Sequence, residues 1–66
     1  SQPAMLEHSA YRGLEGPHEK VHRHGKEALR HYQRGDWEKA IDEVHKLDEA
    51  SHDVLALLKQ IGDEVP

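Results

Sequence analysis

Arg30-His31-Tyr32-Gln33-Arg34-Gly35-Asp36-Trp37-Glu38-Lys39-Ala40-Ile41 is the stretch that decides the fold. Arg30, His31 and Arg34 gather where cations suit the negative end of a helix. Gly35 after them can take the left-handed conformation that closes a helix. Asp36 is a good N-cap for a new helix, and Glu38 suits its first turn. One helix therefore stops and another starts within about two residues, and a turn this short makes the two pack antiparallel.

Upstream, the spacing predicts a helix over 17–34. Pro17 fits a first turn, where its missing N–H is not needed, and Glu19 complements the dipole. Val21, Ala28, Leu29 and Tyr32 are its apolar members, with His18, His22 and Gly25 on adjoining lines of the same face. Before it lies a leader, 1–16, in which Leu6, Tyr11 and Leu14 have a loose helical spacing that Gly13 and Gly16 interrupt. Ser1–Met5 read as a remnant of cloning and carry no structural weight.

Downstream, Trp37, Ile41, Val44, Leu47, Ser51, Val54, Leu58 and Ile61 recur at steps of three or four, an amphipathic stripe. Leu55 and Leu57 widen it, Gly62 is expected to close the helix, and Pro66 ends the chain. Nothing alternates with the period of a strand. The expected fold is all-α: an antiparallel helical hairpin over 17–66 behind a short leader. Two amphipathic helices cannot cover both stripes alone, so a four-helix bundle completed by a homodimer is the expectation. Trp37 is expected to anchor that core.

Composition narrows the function. The chain has 66 residues, seven histidines and no cysteine. Below about 70–80 residues a single core seldom gives more than about 3–5 kcal/mol, so a metal, a disulfide or a second chain is usually needed. Without cysteine no disulfide forms. The net charge of −4 argues against non-specific nucleic-acid binding. No apolar run approaches the roughly 18 residues of a membrane span, and no signal peptide is evident. A cytoplasmic protein with no nucleic-acid partner and no membrane insertion is expected.

The sharpest local pattern is His18-Glu19-Lys20-Val21-His22. Histidines at i and i+4 stand one above the other on a helix and can reach one metal ion, zinc before others. The same five residues fit H-E-x-x-H, in which Glu19 would be the general base of a zinc hydrolase. Such an enzyme also needs a third ligand, a cleft and usually a sheet edge, and the chain is too short to build them. Glu19 reads as a first-turn dipole partner, and the protein is not expected to be an enzyme.

With the flanks included, Tyr11-Arg12-Gly13-Leu14-Glu15-Gly16-Pro17-His18-Glu19-Lys20-Val21-His22, then Gly35-Asp36-Trp37 and Leu47-Asp48-Glu49-Ala50-Ser51-His52, resemble the C-terminal half of the bacterial chemoreceptor zinc-binding (CZB) domain family. That family has an aromatic and a leucine before Pro-His-x-x-x-His, a Gly-Asp turn, and a Met-Glu-x-Ala-Ser-like stretch on the last helix. Leu47 stands at the methionine and Asp48 at the glutamate. The resemblance covers about 11–58 and implies a cytoplasmic four-helix bundle holding zinc through three histidines and one cysteine. It implies attachment to a chemoreceptor signalling region or a diguanylate cyclase, whose output zinc tunes. His18 and His22 match two of the ligands. The other two, a histidine and a cysteine of an N-terminal half, have no counterpart here, so the chain looks like a truncated domain or a short relative of one.

Two ways of completing the site are open, beside a third reading without metal. In an antiparallel hairpin, positions summing to about 70 lie level. His18 then faces His52 and His22 faces Asp48, so Asp48 and His52 could add two ligands. A symmetric dimer could instead join the His18 and His22 pairs of two chains. The pair could also stay partly buried without metal. His24, His31 and His45 are expected on the surface, and His8 lies in the leader. The functional expectation is a zinc-binding sensory or regulatory fragment of bacterial signal transduction. The alternative is a metal-free helical dimerisation module.

Overall fold

The computed structural model describes residues 12–64. Among them are two helices packed against each other and no strand, an all-α helical hairpin: α1 (Glu15–Gln33) and α2 (Trp37–Glu64). The expectations for Leu6, His8, Tyr11 and Pro66 lie outside the described residues.

The turn forms as its residues dictate. Gly35 has φ +79°, a conformation that costs a side-chain-bearing residue about 1–2 kcal/mol. The Gly35 amide donates to the Tyr32 carbonyl at 2.9 Å and the Asp36 amide to the His31 carbonyl at 2.8 Å. This is the Schellman pairing, which satisfies carbonyls that the end of α1 would otherwise leave unpaired. Asp36 Oδ1 accepts from the Lys39 amide at 3.2 Å and caps α2. At the other end of α1, Pro17 is the third helical residue, and the first α-helical amide bond is His18 to the Leu14 carbonyl, 2.9 Å. Pro17 therefore breaks no bond. Helix α1 begins two residues before the expected 17, within what was read as leader, and α2 passes through Gly62 to Glu64 rather than closing there.

The helices meet along a seam with steps of three and four. The covered positions include Leu14, just before α1, and Pro17, Val21, His24, Ala28 and His31 on it; on α2 they include Ala40, Glu43, Leu47, Ala50, Val54, Leu57 and Ile61. This is the spacing of a two-stranded coiled coil. Only Ala40, Ala50 and Ile61 are buried among the described residues. Alanines at the seam let the backbones approach, and at Gly25 a Cβ would stand 3.5 Å from Leu47 Cδ1. The shortest extent of the hairpin is 12 Å, one layer of helix, so it encloses little.

The seam differs from the expected core. Trp37, Ile41, Val44 and Leu58 are 48–60% exposed. They belong to a second column, one residue further along at each step: Trp37, Ile41, Val44, Asp48, Ser51, Leu55 and Leu58 on α2, and His18, His22, Gly25, Leu29 and Tyr32 on α1. One residue is about 100° around a helix. In antiparallel helices this shift turns both columns toward the same side of the hairpin. The stripe read from the sequence bisects seam and second column, and α1 covers only its seam side.

Candidate metal site

His18 and His22 are both exposed, in the first turns of α1 and in its second column. Their Nε2 atoms lie 3.1 Å apart, with ring centroids at 4.7 Å and planes at 63°. Zinc–nitrogen bonds of about 2.0–2.1 Å at a tetrahedral angle set two donors roughly 3.3–3.4 Å apart. The two Nε2 atoms are within hydrogen-bonding distance, one ring donating to the other, and the same separation is near one edge of a zinc tetrahedron. This fits a metal held by the two side chains together. Beside them, Glu19 pairs with Arg23 at 3.7 Å in an exposed i,i+4 contact.

Asp48 and His52 form a second pair, on α2. His52 Nε2 stands 3.6 Å from Asp48 Oδ2, and both side chains are about 70% exposed. The level rule of the sequence reading is close to what is found: Gly25 lies against Leu47, and His24 reaches Glu43. Yet the histidine pair and the Asp48–His52 pair stay separate. No group of three or more metal-ligating side chains gathers among the described residues. Among the described residues, His18 and His22 thus stand as two nitrogen donors with no third metal-ligating side chain grouped with them.

Two of the histidines expected on the surface are not there. His24 sits in the seam, its side chain 16% exposed, and its Nδ1–H donates to Glu43 Oε1 at 2.6 Å. Glu43 is the matching seam residue of α2, 15% exposed. Its carboxyl is held below the usual glutamate range, first by the hydrogen bond from His24; partial burial opposes this, and the charge of Lys46 at 3.5 Å supports it. His31 is half-covered at the end of the same column, and its Nδ1 accepts from the Arg34 guanidinium at 3.0 Å. His45 is exposed, as expected. The signal for His24 was available, since Pro17, Val21, His24, Ala28 and His31 keep the 4-3-4-3 step.

The second column also holds a shallow apolar groove of about 370 Å³, lined by Ala28, Leu29, Tyr32, Trp37, Ala40, Ile41 and Val44. Tyr32 and Trp37 meet edge-to-face across the turn, centroids 4.9 Å apart, a favoured aromatic geometry. The other side of the seam is polar, lined by Lys20, Arg23, Lys46, Glu49 and Asp53. No helix among the described residues is long and apolar enough to cross a membrane. Compared with family models, curated proteins and solved structures, the chain matches none.

Proposed function

We propose that the chain is a zinc-binding regulatory fragment of bacterial signal transduction, of the chemoreceptor zinc-binding kind, that works in the cytoplasm beside an output domain. The observation that carries the metal-binding part is the 3.1 Å approach of His18 Nε2 to His22 Nε2, close to the donor spacing zinc takes; the signalling part rests on the sequence resemblance. The role is binding, not catalysis. His18 and His22 supply two imidazole donors from the start of α1, and the remaining ligands come from outside the pair. Bound zinc would tie this helix start to those other ligands. Because such a site exists only in the folded bundle, binding favours one packing, and the bias passes to the attached output domain.

Zinc titration followed by native mass spectrometry tests this. Loss of a group that merely orients a ligand already costs about 10–100-fold in metal affinity, so loss of a ligand should cost at least that. His18→Ala and His22→Ala are each expected to weaken zinc at least about tenfold. Unchanged affinity in both variants would overturn the reading. The second reading, a metal-free dimerisation module, is favoured by the exposed apolar groove at Trp37 and Ile41.

A further inference from the structure

We infer that the second column is the contact surface for a second copy of this chain, and that two hairpins close one four-helix bundle through it. The inference stands on the apolar face and needs no zinc.

The direction of the face is right for a bundle. In a four-helix bundle each helix touches two neighbours at roughly a right angle. Seam and second column lie about 100° apart on both helices. Each helix has met one neighbour and presents a spaced apolar column to another. A second hairpin supplies two such helices with the same spacing, so both new contacts are of the kind the seam already makes.

The size is right for a dimer. Leu29, Tyr32, Trp37, Ile41, Leu55 and Leu58 are 48–61% exposed, as is Val44 at 51%. Together they leave on the order of 700–800 Å² open, so the face can give up at most about the share each partner gives up in a standard interface. Among the described residues the opposite face, with Lys20, Arg23, Lys46, Glu49 and Asp53, exposes no large apolar side chain.

The pattern matches itself. Its polar members, His18, His22, Asp48 and Ser51, stand away from the apolar end that Trp37 and Tyr32 mark at the turn. A two-fold axis along the hairpin sets like heights together: near the turn Ile41 comes level with Leu29 of the second copy, apolar on apolar, while Leu55 and Leu58 come level with Glu15 and Arg12. It also places α1 of one copy beside α2 of the other, antiparallel. Asp48, the one formally charged side chain in the column with histidine neutral, then comes level with His22 of the second copy, a hydrogen-bond donor and not another carboxylate. Every neighbour in the closed bundle is antiparallel, the up-down-up-down arrangement.

The test is sedimentation equilibrium of the full chain with a chelator present, between about 1 and 200 μM, the range of micromolar association. The expected result is a monomer–dimer equilibrium in which Trp37 emission moves to the blue and its acrylamide quenching falls as the dimer forms. Ile41→Asp and Leu29→Asp should each weaken the dimer at least about tenfold, and Asp53→Lys on the polar face should leave it unchanged. A helical monomer throughout, as when a different protein is the natural occupant, would overturn the inference. So would a dimer that Asp53→Lys weakens and Ile41→Asp does not. If Ile41→Asp fails to fold, Trp37 in the unaltered chain decides: emission and quenching constant with concentration overturn the proposal. The chelator keeps this outcome separate from the zinc reading, which the histidine variants test.

Discussion

His24 of α1 and Glu43 of α2 face each other across the seam, Nδ1 to Oε1 at 2.6 Å, with side chains 16% and 15% exposed. It is a polar tie between the helices beyond the turn. Both residues stand where a coiled coil would carry an apolar side chain. A half-covered pair of this kind tends to fix which residues meet, and it need not add to stability.

Either partner alone should therefore be worse than both or neither. Glu43→Leu leaves the His24 imidazole covered without its acceptor, and His24→Leu leaves a carboxylate without its donor. Each single variant is expected to melt below the unaltered chain, while the double variant melts at or above it. Far-UV circular dichroism on the four proteins of this double-mutant cycle measures the ordering.

Acid should weaken the tie. Glu43 is held below the ordinary glutamate value of about 4.3, chiefly by the hydrogen bond from His24 with help from Lys46 and against partial burial. A carboxyl whose folded value is depressed stabilises the fold above its unfolded value, and that contribution is lost as pH falls through the folded value. The difference in thermal midpoint between the unaltered chain and Glu43→Gln should be full near neutral pH. It should shrink below about pH 4.3 and vanish once Glu43 is protonated in the fold.

What the sequence shows of this fold depends on how each residue signals. Gly35 and Asp36 are legible because one conformation and one cap suit them, and the hairpin follows from that. The stripe from Trp37 to Ile61 is legible as periodicity, but it bisects the seam and the second column, and the hairpin covers only its seam side. Ala40 and Ala50, two of the three buried residues, are easily passed over because a stripe is drawn through large side chains, while close helices select small ones. His24 and Glu43 escape for a related reason: polar residues are not counted into an apolar face, although their spacing places them there. The i,i+4 pair at His18 and His22 is legible as a shared face, and the structure adds how closely the two Nε2 atoms converge.

The turn is open to a local test. At Gly35 a Cβ meets no neighbour within 4 Å, so an alanine there costs backbone strain alone, about 1–2 kcal/mol at φ +79°. Asp36→Ala removes the acceptor for the Lys39 amide and should cost about 0.5–2 kcal/mol. Gly62 lies within α2 with open space around its Cα, and Gly62→Ala should gain about 0.5–1 kcal/mol. Thermal melts should place Gly62→Ala above the unaltered chain and the two turn variants below it.

Ala50 puts the seam itself to the test. It is 4% exposed, at the middle of α2, where the helices approach closely enough that Gly25 opposes Leu47. If hydrophobicity alone governed the contact, a larger apolar side chain would strengthen it. Close packing predicts the reverse. Extra methylenes at a filled position force the helices apart and typically cost about 1–3 kcal/mol. Ala50→Leu should therefore lower the melting temperature and Ala50→Gly should lower it too, through helix propensity of about 1 kcal/mol, leaving alanine as the optimum. A rise in melting temperature for Ala50→Leu would mean that the helices stand further apart than this seam allows.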